Sequence, residues 1–348
     1  MKRFLLTFCS VAMLLFLVGC QKEEVKEMEG NVETKAYYTA EDYLENPDLF
    51  VPVWADEREV PKEMLDFEEK YEAFFTPNGR LMCSIHRGDH TYYPENSTEG
   101  FLSAILMGAD IVEVDVAMTK DGIPIVLHDD TLTRTTNVQS LRAKGTPGIP
   151  KSDASEDWTL DQIRRLRLLT NDTQEVTNYV VPTLEDVIMI CNGRCFITLD
   201  KSSKFGWYQD IVPILEKHNA WRTVMLPYSY TYGMTFDRVK TMMDDIKERS
   251  GGYTSALMSR SYDITHLERI SKLIDEYGFP KVIRCGEYDF EETEAYAPYF
   301  NNYRIHIECL YGNDYLMAWK RIHGAGFNLI VSNDPMGITS YIQELYFE

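Results

Sequence analysis

From Arg80 onward, short β-branched or apolar runs alternate with amphipathic stretches of helix length, and this alternation constrains the fold more than any other feature. A strand that feeds a helix and then another strand marks parallel βαβ units. Strands are expected at 81–86, 110–116, 195–200, 222–226, 254–258, 281–285, 303–308 and 328–332. Helices are expected at 96–107, 183–190, 207–219, 233–249, 263–277, 290–298, 313–324 and 336–346. Eight such pairs predict an α/β fold of the TIM (β/α)8 barrel type, with its chemistry at the C-terminal ends of the strands. An insertion after the second strand, from Gly122 to about Val180, breaks the rhythm. It is expected to hold an extra strand, Ile123–His128, a polar Gly/Pro stretch and a short helix, Leu160–Leu168. The length of 348 residues suits one barrel with such an insertion.

Lys2 and Arg3 precede an apolar run, Phe4–Val18, that ends at Gly19 and Cys20. That is the pattern of a secretory signal, too short for a spanning helix of roughly 20 residues. The tetrad Leu17-Val18-Gly19-Cys20 resembles the lipobox of bacterial lipoproteins. The resemblance implies that residues 1–20 are a lipoprotein signal, that Cys20 carries the lipid, and that the mature protein is exported and membrane-anchored. The other reading is a cleaved signal with an incidental cysteine. Gln21-Lys22-Glu23-Glu24 is similar to the acidic stretch that sends some lipoproteins to the cell surface of an outer membrane, the alternative being its periplasmic side. Residues 21–75 are rich in Glu, Lys and Tyr and interrupted by Pro47, Pro52 and Pro61, so they read as a tether and N-terminal extension. Order is expected from about Tyr43, with a helix at Lys62–Phe74 capping the bottom of a barrel that fills 76–348.

The formal net charge is −20, and loss of Lys2 and Arg3 with the signal takes it to −22, which argues against a nucleic-acid partner. A phosphorylated substrate would then need local positive charge, which a divalent cation supplies economically. Apart from Cys9 and Cys20 the cysteines are Cys83, Cys191, Cys195, Cys285 and Cys309, an odd set. Cys191 and Cys195 bracket Asn-Gly-Arg and could pair in an oxidising compartment; the others read as small buried hydrophobes.

The chemistry concentrates at predicted strand ends. Glu113 and Asp115 lie two apart on one strand, so both face the same side, as two ligands of one hard cation must. His86 ends an apolar strand and is followed by Arg87 and Gly88, which would bring a proton-transfer group, a guanidinium and a close-approaching backbone to one phosphate. His128 ends Ile125-Val126-Leu127 in the same manner. Any Glu-x-Asp would share a face, and a lone strand-end histidine is more often structural. The joint occurrence in one short stretch is what singles these residues out.

His86-Arg87-Gly88, Pro94-Glu95-Asn96-Ser97, Glu113-Val114-Asp115, His128-Asp129 and Leu132-x-Arg134-Thr135-Thr136 together resemble the glycerophosphodiester phosphodiesterase family. Pro182-Thr183-Leu184-Glu185 and Val331-Ser332-Asn333-Asp334-Pro335 extend the resemblance toward the C-terminus. It implies a TIM barrel that hydrolyses glycerophosphodiesters, small-molecule substrates, to glycerol phosphate and an alcohol with Ca²⁺ or Mg²⁺ bound. By position Glu113 and Asp115 become metal ligands, His86 and His128 the general acid and base, Arg87 a phosphate ligand, and Asn96 a positioning residue. The family places Glu-x-Lys on its third strand, whereas this chain has Asp200-Lys201. Asp200 can replace the Glu as a ligand, but Lys201, if it is to bind phosphate, needs a bulge or turn to reach the same side. At the seventh strand Glu308 stands near the place where the family often carries Trp, and it could position metal or substrate. Arg260, Glu287, Trp207 and Tyr230 are further rim candidates. A phospholipid- or phosphoinositide-cleaving enzyme on the same barrel, and a catalytically silent phosphodiester-binding lipoprotein, are the competing readings.

Overall fold

The computed structural model describes residues 37–347 apart from 57–60, 62–63, 77–78, 202–209, 230–235, 252–256, 261–280, 286–303 and 309–313. Eight parallel strands carry the fold: β1 (Met82–His86), β2 (Ile111–Met118), β4 (Phe196–Asp200), β5 (Val224–Ser229), β6 (Leu257–Arg260), β7 (Lys281–Cys285), β8 (Arg304–Glu308) and β9 (Leu329–Ser332). β1 pairs with β2 on one side and β9 on the other, so the hydrogen-bonded ring closes into the expected barrel. The short β3 (Pro124–Val126) adds antiparallel to β2 at the insertion. Every predicted strand is present, with edges moved by three residues or fewer.

The described helices between and around the strands are α1 (Ala40–Glu45), α2 (Phe67–Phe75), α3 (Thr98–Leu106), α4 (Val138–Ala143), α5 (Leu160–Ile163), α6 (Leu184–Cys191), α7 (Val212–His218), α8 (Phe236–Arg249), α9 (Leu316–Gly324) and α10 (Pro335–Tyr346). Their starts are written in the sequence. Ser97 caps α3, and Thr39, Asp66, Thr159 and Thr183 each close a capping box with the residue three further on. Asp334 caps α10, whose first residue is Pro335. The Pro-Thr-Leu-Glu motif is therefore a helix start: Thr183 caps, Leu184 enters the core, and Glu185 ties to Lys217 and His218 of α7. The expected helices at 263–277 and 290–298 lie outside the described residues. Among those described, no helix is long and apolar enough to cross a membrane.

The bottom of the barrel is closed by α2. Phe74 is fully buried and meets Met82, Ile111, Phe196, Met225 and Leu329, which lie at or near the starts of five strands. Lys70, on the same helix, is buried too, its ammonium donating to the carbonyls of Ala109 and Arg194 at 2.9 Å each. The cap expected from the sequence is thus present, although α2 begins at Phe67 rather than Lys62. From Tyr37 the N-terminal extension is bound to the barrel and not a loose tether. Tyr43 and Trp54 are buried, and Trp54 Nε1 donates to Ser103 on α3 at 2.7 Å.

The insertion carries its own small core. Leu127, Leu132, Val138, Trp158, Ile163, Leu166, Leu168 and Val181 pack together with almost no exposure. One expectation fails here. The polar stretch contains α4, and the helix expected at Leu160–Leu168 ends at Ile163. Leu166 and Leu168 are both buried, a spacing of two that suits extended chain, and Leu168 bridges to Thr136.

Candidate active site

The barrel register assembles the site. His86 lies opposite Glu113 across β1 and β2, and Asp115 lies opposite Asp200 across β2 and β4. Three carboxylates thereby converge, with one oxygen from each of Glu113, Asp115 and Asp200 within 4.8 Å of the others. Glu113 and Asp115 are only 1% exposed, so their mutual repulsion has little solvent to screen it. Burial pushes the Asp115 carboxyl up, against the pull of the Arg87 guanidinium, whose Nε lies 3.2 Å from Asp115 Oδ2. Asn96 Nδ2 donates to the same oxygen at 2.9 Å. An all-oxygen, multiply anionic donor set of this size fits a hard divalent cation.

Both predicted histidines are oriented by a partner. His86 Nδ1 is 2.7 Å from the side-chain oxygen of Asn333, and its Nε2 is 4.0 Å from Glu113 Oε2. His128 Nδ1 is 2.6 Å from Asp129 Oδ1. Arg134 grips Asp129 with Nε at 2.6 Å and Nη2 at 3.0 Å, and that bond, with His128 adding to it, holds the Asp129 carboxyl well below the usual carboxylate range. The same guanidinium donates to both oxygens of Glu95, at 2.8 and 2.6 Å. Burial alone would raise Glu95, but Arg134 and then Arg87 keep it ionised. Arg134 therefore clamps the loop after β3 to the loop after β1.

Backbone strain marks the same place. Arg87 (φ 56°), Asn96 (φ 58°) and Lys201 (φ 60°) occupy the left-handed region, each at a cost of about 1–2 kcal/mol for a residue with a side chain. For Lys201 this resolves the difficulty seen in the sequence. The chain turns as soon as β4 ends, and the Lys201 ammonium reaches back to the His128 carbonyl at the barrel mouth instead of the opposite side. Gly88 is required for closeness: a Cβ there would lie 2.9 Å from the backbone carbon of Gly100.

Most predicted residues are thus gathered at one mouth: His86, Arg87, Asn96, Glu113, Asp115, His128, Asp200 and Lys201. Arg87 meets the carboxylates of Asp115 and Glu95 directly. Glu308 ends β8 at the same end of the barrel, but its side chain lies outside the described residues, as does that of Arg260. Glu287, Trp207, Tyr230 and Cys20 lie outside them altogether. Cys191 and Cys195 are buried free thiols, not a disulfide. Burial pushes the Cys191 thiol well up, and its contact with Cys195 adds to this. Asn333 and Asp129, which orient His86 and His128, belong to the strand-end motifs of the sequence, but their residue types alone point to no role. His90, whose Nε2 also reaches Asn333 at 3.0 Å, had no sequence signal at all.

A closed eight-stranded barrel that gathers three carboxylates and two oriented imidazoles at one mouth defines a TIM-barrel protein with a polar site at that end. The Glycerophosphoryl diester phosphodiesterase family profile matches residues 86–217, the stretch that holds His86, Glu113, Asp115, His128 and Asp200. A glycerophosphodiester phosphodiesterase of Caldanaerobacter subterraneus is 33% identical over 118 residues, which are 34% of this chain and 43% of that protein. The human glycerophosphodiester phosphodiesterase 1 is 32% identical over 117 residues, 33% of this chain and 31% of that one. The chain thus spans less than half the length of these curated relatives. Solved structures share the fold more widely. A glycerophosphoryl diester phosphodiesterase of Parabacteroides distasonis superposes with a TM-score of 0.61 at 20% identity, covering 81% of this chain and 93% of that one. An Oleispira antarctica phosphodiesterase solved with the product sn-glycerol-3-phosphate superposes with a TM-score of 0.54 at 19% identity, covering 79% and 99%.

Proposed function

We propose that the chain is a metal-dependent phosphodiesterase that hydrolyses glycerophosphodiesters to glycerol phosphate and an alcohol. The observation that carries this reading is the convergence of Glu113, Asp115 and Asp200 beside two partnered histidines, inside the stretch that matches the family. Glu113, Asp115 and Asp200 would hold a divalent cation, Mg²⁺ or Ca²⁺, which would supply positive charge to the phosphoryl group. Arg87 and Lys201 bind phosphate oxygens, and Asn96 fixes the Asp115 carboxylate. One of His86 and His128 takes the proton of the attacking hydroxyl, which belongs to the substrate itself or to water; the other protonates the departing alkoxide. Where the substrate's own hydroxyl attacks, the product of the first step is a cyclic phosphate that water then opens. Glu308 is proposed as a further positioning group.

The relatives support the substrate class, since those named act on glycerophosphodiesters and one was solved with glycerol phosphate. We assign residues 1–20 to the export signal, 21–75 to the extension and 76–348 to the barrel, with the mature protein anchored to a membrane through Cys20. The test is phosphodiester hydrolysis by the purified mature protein against a panel of glycerophosphodiesters, with EDTA, Mg²⁺ or Ca²⁺, beside Glu113→Ala. Release of glycerol phosphate that metal restores and the variant abolishes is the expected outcome. Failure to turn over any soluble diester, with metal bound, would favour a phospholipid substrate or a silent binding protein.

A further inference from the structure

The loop after β1, residues 87–97, carries Arg87 and Asn96, both in the left-handed region, and closes on itself where the Asn96 N–H donates to the Arg87 carbonyl at 2.9 Å. Its first half is tied from within, the Asp89 carboxylate accepting from the N–H groups of Thr91 and Tyr92 at 3.2 and 3.4 Å. Its second half is also held from outside, by one side chain of the insertion. Asn171 Nδ2 donates to the carbonyls of His90 at 2.6 Å and Tyr93 at 3.0 Å, and Asn171 Oδ1 accepts from the Glu95 N–H at 3.2 Å. The partners fix the orientation of this amide. A backbone carbonyl only accepts and a backbone N–H only donates, so nitrogen must face His90 and Tyr93 while oxygen faces Glu95. Asn171 is braced in turn by Gln174, whose Nε2 donates to the carbonyls of Thr170 at 3.1 Å and Asn171 at 3.3 Å. The insertion therefore grips Glu95 twice, with Arg134 on its carboxylate and Asn171 on its backbone.

We infer that Asn171 is a positioning residue for the reaction proposed above, on which this reading rests: it holds the loop so that Arg87 and Asn96 stay left-handed, and through Asn96 it sets the Asp115 carboxylate. Left-handed residues with side chains persist only where their surroundings over-determine them. Asn96 Nδ2 donates to Asp115 Oδ2 at 2.9 Å and its Oδ1 accepts from the Asp115 N–H at 3.4 Å, contacts that hold only while the Asn96 backbone stays in place. Without the Asn171 amide, the backbone groups of His90, Tyr93 and Glu95 turn to water. The segment gains freedom, and Arg87 and Asn96 at its two feet can relax toward ordinary backbone angles. Asp115 then loses part of its orientation although no residue that touches it has changed. Asn171 is exposed, so water can take over its hydrogen bonds and little global stability is at stake. Its effect falls on geometry instead, where a misplacement of about 1 Å can cost about 10²-fold in rate.

The test is Asn171→Ala in the mature protein, read by amide hydrogen exchange, thermal melts and kinetics with Mg²⁺ or Ca²⁺. The Asn96 amide is the informative one, because its own acceptor, the Arg87 carbonyl, is untouched by the substitution. It should exchange about tenfold faster or more, with the amides of β1 and β2 unchanged. The melting temperature should fall by about 4 °C at most, while kcat drops roughly 10- to 100-fold and KM changes less than about threefold. Asn171→Gln keeps both donors and the acceptor and should recover part of the lost kcat. Asn171→Asp turns a carboxylate toward two carbonyls and should be no better than the alanine variant. Phe74→Ala, in the floor of the barrel, separates geometry from stability: it should melt lower than Asn171→Ala yet keep its activity per folded molecule. Wild-type kcat in Asn171→Ala would overturn the inference, and so would unchanged exchange at Asn96. Exchange needs no turnover, so an enzyme inactive on every diester would sink the functional reading, while the Asn96 amide would still decide whether Asn171 holds the loop.

Discussion

At the residue scale the site is built from groups that would be unfavourable anywhere else: buried carboxylates, left-handed non-glycine residues and an arginine shared by two acids. Gly88 shows how little slack remains. Gly88→Ala places a methyl against the Gly100 backbone at φ 75°, so it should cost about 1–3 kcal/mol and displace Arg87; parallel urea melts and assays would register both losses. Glu99, on the helix behind the site, is a second case. Its carboxyl is 3% exposed, accepts from the Tyr43 hydroxyl at 2.6 Å, has no partner for Oε2 among the described residues, and is pushed by burial from 4.5 up to about 7. Between those values the unfolded chain has released a proton that the folded chain still holds. Stability is therefore lost as pH rises through this window. Glu99→Gln cannot ionise, so its melting temperature should vary less with pH from about 4.5 to 7, and near pH 8 it should gain up to about 3 kcal/mol over the wild type. Thermal melts of both proteins across that range would decide it; parallel curves would mean that Glu99 is ionised in the fold.

At the element scale, capping and periodicity set where segments begin, and those signals were legible. Thr183 before Asp186, Ser97 before α3, and Asp334 before Pro335 mark helix starts without any knowledge of the barrel. The insertion was less legible because its stability comes from a private core under Trp158, gathered from residues scattered between Leu127 and Val181. The plug α2 is a separable element. Phe74→Ala removes the ring from the floor of the barrel and should destabilise the fold by about 3–5 kcal/mol, read as a lower urea midpoint. Activity per folded molecule should stay near the wild-type value at low temperature, because the floor lies at the opposite end from the carboxylates.

At the scale of the whole molecule, the net negative charge adds to the repulsion within the acid cluster, and a bound cation would relieve it. If Glu113, Asp115 and Asp200 hold Mg²⁺ or Ca²⁺, metal at a hundred times its Kd should stabilise the protein by about 2.7 kcal/mol, and Asp115→Asn should reduce that gain sharply. Calorimetry with and without EDTA measures it; equal melting temperatures in both conditions would remove the metal from the site. The sequence by itself determined the βα order, the capped starts of α3, α6 and α10, and that His86 ends its strand while Glu113 and Asp115 share one face of theirs, because periodicity and caps are local properties. Only the tertiary structure decided that Asp200 joins Glu113 and Asp115, that Lys201 turns back to the mouth, and that His90 shares Asn333 with His86. Those contacts depend on barrel register and on loops meeting from distant parts of the chain, and no local pattern encodes a distance between strand ends.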